Sequence, residues 1–103
     1  MIKINSKPKK DSDNHTFSEA LEALKEGKKV ARQNWNGKGM YVVLKPGYPN
    51  GIPCNEATAK AHGIEVGTTI YYLPYLEMKT VDNKFVPWLP SQTDLMAEDW
   101  MLV

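Results

Sequence analysis

Between Arg32 and Met40 the chain sets a guanidinium, an indole (Trp35), an amide (Asn36), an ammonium (Lys38) and two glycines (Gly37, Gly39) within nine residues. Asn, Lys and Gly disfavour a packed pleated surface. The same mixture suits a ligand that carries both a base and a phosphate. An indole stacks on a base for ~1–3 kcal/mol, glycines let backbone N–H groups approach an anion, and Lys38 supplies charge. Arg32 adds a fork that can pair with phosphate through two bonds. The structural alternative is a hairpin tip, because Asn36-Gly37 is a strong short hairpin signal. Trp35 would then close one end of the core and Arg32 would be a surface cation.

A second cluster, Ser91-Gln92-Thr93-Asp94, places small hydroxyls and free N–H groups at an expected helix start, where a phosphate or ribose can bind. Asp94 would repel phosphate but accept from a ribose hydroxyl or an exocyclic amine. Capping by Ser91 or Thr93 is expected in any case. Other reactive groups are scattered. His15 and His62 have no partner at nucleophile–base or metal spacing, Cys54 stands alone, and Glu98-Asp99 resembles a solvated helix end. No catalytic residue, metal ligand or cofactor is assigned. A binder suits this inventory better than an enzyme.

These residues need a scaffold. Thr16-Phe17-Ser18-Glu19 fits a capping box, and Phe17, Ala20, Leu21 and Leu24 form one apolar stripe, which predicts a helix over 17–26 ending at Gly27. Lys29–Arg32 and Met40–Leu44 read as strands joined through the Trp35 loop. Three prolines and two glycines rule out regular structure over 45–53 in this reading. Asn55 caps a short helix through Ala61, stopped by Gly63. Strands are expected over 70–73, 75–79, 84–88 and 100–103, with a turn at 81–83 and a short helix over 94–98. The expected fold is α+β: an N-terminal helix on a mostly antiparallel sheet, with a second short helix. Residues 1–14 read as a flexible polar arm with a possible strand at its start, and 15–103 as a single nucleotide-binding domain. Trp88 and Trp100 fit a core or interface, and Tyr71, Tyr72 and Tyr75 an interface or pocket rim.

Composition sets further bounds. A chain of 103 residues with 42% hydrophobic side chains forms a small core, for which oligomerisation is a natural support. Its longest apolar runs are far too short for a membrane span, and its start lacks a signal-peptide pattern, so cytoplasmic action is expected. The net charge of +1 hides a basic stretch: residues 25–45 carry six cations against Glu26 alone. A local positive field favours a small anion, whereas duplex nucleic acid calls for a more basic chain overall.

The blocks Thr16–Arg32 (Thr-Phe-Ser-Glu-Ala-Leu-Glu-Ala-Leu-Lys-Glu-Gly-Lys-Lys-Val-Ala-Arg), Trp-Asn-Gly-Lys-Gly-Met at 35–40, Tyr-Leu-Glu-Met-Lys-Thr at 75–80 and Val86–Trp100 occur in one order that resembles the second Thoeris anti-defence family of phage and prophage proteins. The resemblance covers about 16–44 and 74–103. It implies a homotetrameric sponge, acting in the cytoplasm of the infected bacterium, that sequesters glycocyclic ADP-ribose without cleaving it. Some members also hold cyclic dinucleotides of the CBASS defence at separate sites. It further implies that the Ser91–Asp94 cluster faces the Trp35 loop across a protomer boundary. The arm before Thr16 exceeds the minimal family domain, and 45–70 has no block that matches. An enzyme that degrades such a nucleotide, or a module binding protein or single-stranded nucleic acid, is the alternative.

Overall fold

A capping box starts the first helix, α1 (Phe17–Lys25): the Glu19 N–H donates to Thr16 Oγ1 at 3.2 Å, and the Thr16 N–H donates to Glu19 Oε1 at 2.9 Å. Satisfying two otherwise orphaned donors fixes where the helix begins. Gly27, at φ +88°, ends it after Glu26. The stripe buries Ala20, Ala23 and Leu24, with Phe17 and Leu21 half-buried beside them. This is a computed structural model, and it describes residues 13–33, 35 and 39–103. The expectations for the arm through residue 12, and for Asn36, Gly37 and Lys38, lie outside the described residues.

Among the described residues the further elements are β1 (Val30–Arg32), β2 (Tyr41–Lys45), β3 (Tyr48–Pro53), α2 (Glu56–His62), β4 (Thr69–Tyr72), β5 (Tyr75–Lys79), β6 (Phe85–Pro87), α3 (Gln92–Met96) and β7 (Trp100–Leu102). The fold is α+β, as expected. A five-stranded sheet runs in the order β6-β5-β2-β1-β7, and β3 pairs with β4 separately. Val30 faces Val42 on one side and Leu102 on the other, both antiparallel. Because side chains alternate along a strand, this register sends Val30, Val42, Leu102 and Trp100 to the face covered by α1. Ala31 and Met101, also paired, lie on the opposite face.

Contacts divide the described residues into two compact units, one formed by those up to Leu44 with Leu76–Val103, the other by Lys45–Tyr75. In the first unit, Leu24, Val30, Val42 and Trp100 are fully buried. Each such apolar side chain contributes about 1.5–3 kcal/mol by leaving water. Trp100 is also an aromatic hub: it meets Phe17 at 5.5 Å, Trp35 at 5.5 Å and Trp88 at 6.0 Å, all edge-to-face. The sequence left Trp100 and Trp88 between core and interface; Trp100 is core and Trp88 packs half-buried against it.

The second unit corrects one expectation. Residues 48–53 form a strand despite Pro49, Gly51 and Pro53. Each strand of a two-stranded ribbon keeps a free edge, so a missing N–H need not cost a ladder bond. The register slips between Tyr48 and Ile52, and Gly51 there adopts φ +97°. The Tyr71 ring covers Gly51, its Cε2 lying 3.2 Å from where a Cβ would be. An aromatic ring thus replaces the missing side chain. α2 is as expected, with Asn55 Oδ1 accepting from the Thr58 N–H at 2.9 Å and Gly63 ending it in the left-handed region.

Gly47 is the tightest point of this unit. It holds φ +73°, and a Cβ there would collide with the Tyr72 carbonyl and with Leu73 O. Strain and overlap both oppose substitution, so Gly47→Ala is expected to destabilise the unit by ~1–3 kcal/mol. Faster amide exchange across β3 and β4 would register it; unchanged protection would disprove the constraint.

Candidate functional site

Arg32 ends β1, and its guanidinium joins the two clusters singled out in the sequence. Nε donates to Asp99 Oδ1 at 2.9 Å and Nη1 donates to Asp94 Oδ1 at 3.0 Å. Only 12% of the Arg32 side chain is exposed, so these pairs are poorly screened. Asp94 carries three further duties. Its Oδ2 accepts the Ser91 N–H at 2.9 Å, its own N–H donates to Ser91 Oγ, and its carbonyl accepts the Trp100 indole N–H at 3.0 Å. Ser91 and Asp94 therefore make a capping box for α3, and Ser91 rather than Thr93 is the cap.

The protonation behaviour follows from this geometry. Hydrogen bonding to Asp99 raises the Arg32 pKa against the opposing effect of burial, and Asp94 adds to the rise. Burial pushes the Asp94 carboxyl up, but the Ser91 N–H and the Arg32 guanidinium outweigh it and hold it below its usual value. One guanidinium against two carboxylates leaves a local charge of −1. Arg32 is thus an anchor between β1, α3 and the start of β7, with two of its donors already committed.

Two clefts share Arg32 as a wall. The first, about 370 Å³, is lined by Arg32, Gln33, Trp35, Gly39 and Met40, with Ala31, Met101 and Val103. The second, about 440 Å³ and more open, is lined by Arg32, Gln92, Thr93, Met96 and Ala97. Within one chain, then, both clusters converge on one side chain. Trp35 is half-buried, edge-on to Trp88 at 6.1 Å and to Trp100 at 5.5 Å. It therefore closes one end of the core and also lines an open cleft, which the sequence had set as alternatives. Ser91 and Asp94 are absent from both linings; they hold α3 while Gln92 and Thr93 project.

Sequence reasoning missed the cleft wall of Ala31, Met101 and Val103. Their signal was strand alternation: each is one residue from a side chain on the α1-covered face. Cys54 is buried, and its thiol donates to Glu65 O at 3.2 Å, an ordinary structural role. Among the described residues no cluster of His, Cys, Asp and Glu is arranged to hold a metal ion. None of the described helices is long and apolar enough to cross a membrane.

The Asp94 anchor makes a pH prediction. A carboxyl held lower in the folded than in the unfolded chain stabilises above the unfolded pKa of about 3.9 and loses that stabilisation as pH falls through the folded value. Thermal stability should therefore drop below about pH 4. Asp94→Ala removes the cap and one anchor of a partly buried cation, for an expected cost of ~2 kcal/mol at neutral pH. Melting curves from pH 7 to pH 3 test both; a variant as stable as the parent at pH 7 would show that the anchor contributes little.

A sequence model described as the Thoeris anti-defense 2-like domain (Tad2-like) matches residues 15–103. The match runs through 45–70, where no family block was apparent. The chain is also 42% identical over 91 residues to a protein of Bacillus phage SP01 named Thoeris anti-defense 2, covering 85% of this chain and 93% of the relative.

Proposed function

Because the chain belongs to the Thoeris anti-defense 2-like family, we propose that it counters bacterial anti-phage immunity by sequestering a small cyclic nucleotide signal without cleaving it. Glycocyclic ADP-ribose is the first candidate, and the cyclic dinucleotides of CBASS the second. The observation that carries this proposal is the Trp35 cleft: a half-buried indole beside an open space of about 370 Å³. An indole edge-on to two other indoles is preorganised, so stacking a base on it costs little further ordering. Gly39 and Met40 border the same cleft, and Gln92 and Thr93 present polar groups on the other side of Arg32.

Capture of this kind acts by mass action. Affinity and copy number together must lower the free signal below the threshold of the immune effector. Tight capture favours a closed pocket, and assembly into a tetramer would close these open clefts. Exposed apolar side chains support assembly: Leu89 is 87% exposed, and Met96, at the Gln92–Thr93 cleft, is 77% exposed. Action would take place in the cytoplasm of the infected host, where the signal is made.

The test is to load purified protein with a panel of such signals, remove free ligand, heat-denature the complex and weigh what is released. Intact nucleotide is the expected result. Release of cleavage products would replace sequestration with degradation. Salt-sensitive binding of an oligonucleotide, with no cyclic nucleotide retained, would favour a nucleic-acid module instead.

A further inference from the structure

The sheet face turned away from α1 carries two ammonium groups against one ring. Lys29 Nζ lies 4.7 Å from the centre of the Tyr41 ring and Lys79 Nζ lies 5.6 Å from it. Both distances are within the range of attraction between a cation and an aromatic face. Their surroundings differ from those of the other cations. Lys28 is paired with Glu26 at 3.3 Å, Lys84 with Asp82 at 3.0 Å, and Arg32 with Asp94 and Asp99. Neither Lys29 nor Lys79 has a carboxylate partner among the described residues.

Lys79 is also fixed in position. Its ammonium donates to Gly39 O at 2.9 Å and to Thr80 O at 3.3 Å, which leaves one N–H without a partner among the described residues. Gly39 lines the Trp35 cleft, so this bond sets a half-buried cation beside it. Lys29 is exposed and spends none of its ammonium donors on the described residues. Two acids are near. Glu77 lies two residues along β5, and Asp82 feels the Lys79 charge but is engaged by Thr80 and Lys84. Because β2 lies between β1 and β5, the two ammonium groups flank Tyr41 from either side, and an anion of two charges lying over the ring edge would be attracted by both.

We propose that Lys29 and Lys79, held against Tyr41, form an anion subsite that takes the phosphate or pyrophosphate end of a nucleotide whose base stacks on Trp35. The inference deepens the nucleotide proposal above and rests on it. It assigns the negative end of the ligand to these lysines rather than to Arg32, whose charge two carboxylates already offset. It also gives the site a polarity, with the ring of the ligand toward Trp35 and its charge toward the Tyr41 face.

Binding of ADP-ribose, adenosine and inorganic pyrophosphate to the full chain tests the assignment. The double variant Lys29→Gln/Lys79→Gln should bind ADP-ribose about 10- to 100-fold more weakly, with a shallower salt dependence. Its adenosine affinity should match that of the parent protein. Lys29→Arg/Lys79→Arg should restore most of the loss. Pyrophosphate should shift the Tyr41 ring and lysine ε-methylene NMR signals of the parent and not of the glutamine variant. If ADP-ribose binds the parent and the double glutamine variant equally well, the subsite is overturned and the nucleotide proposal survives. If the parent binds neither ADP-ribose nor any cyclic signal of the panel above, yet pyrophosphate moves the Tyr41 and lysine signals, the anion subsite stands and the nucleotide proposal falls. If no probe binds the parent, the subsite falls, and the nucleotide proposal falls with it when the panel of cyclic signals is not retained either. Far-UV circular dichroism establishes that the variants are folded.

Discussion

Trp35→Ala is expected to abolish ligand capture. Losing a stacked base costs ~1–3 kcal/mol, and loss of the cleft wall adds to that, so affinity should fall by about 10²-fold or more. The variant will also be less stable, because Trp35 makes edge-to-face contacts with both Trp88 and Trp100. Such pairs are worth about 0.5–1.5 kcal/mol each beyond area burial. Capture and stability must therefore be measured together. Trp35→Phe separates them: it keeps an aromatic plug for the core but offers a smaller stacking surface. The expected order of capture is parent, then Phe, then Ala, with Phe close to the parent in melting temperature. If Trp35→Ala is folded and still depletes the signal from a lysate, Trp35 is not the stacking residue.

Trp100→Ala should have the largest effect on folding. The side chain is completely buried and sits at the centre of three aromatic contacts. Truncating a core tryptophan typically costs about 3–5 kcal/mol through lost transfer energy and the cavity left behind. The loss of its indole N–H also leaves the Asp94 carbonyl without that donor. A cost of this size is a large fraction of the ~5–15 kcal/mol that stabilises a typical domain. Denaturant unfolding should show a collapsed midpoint, and recovery of little folded protein would agree with it. Trp100→Phe keeps an apolar ring but cannot make the hydrogen bond, so it should fall between. A Trp100→Ala protein with parental stability would refute the hub.

The two tryptophans show what kind of information was legible in the chain. The α1 stripe, its capping box and the Asn55 cap could all be read directly, since each depends on residues within one or two turns, whereas Ser91 and Thr93 stayed equal candidates until the structure chose Ser91. Strand positions were also legible, because alternation is local. Residues 48–53 were not, because proline and glycine are tolerated there only through a free ribbon edge and the Tyr71 ring over Gly51. Whether a breaker breaks a strand depends on its neighbour across the ladder, which local reading does not supply.

The α+β class, the bounds of α1 and α2 within a residue or so, and the family were all legible in the chain, since caps, periodicity and the order of the blocks are local properties; α3 starts and ends two residues earlier than expected, at Gln92 and Met96. The role of Arg32 depended on the folded chain. Its charge was visible from the start, but two carboxylates more than sixty residues away determine whether it is offered to a ligand or committed to holding α3. The same holds for Lys29 and Lys79, fifty residues apart in the chain and brought to one Tyr41 ring by strand pairing. The physical reason is common to both cases. A charge acts through its nearest neighbours in space, and sheet pairing draws those neighbours from distant parts of the chain.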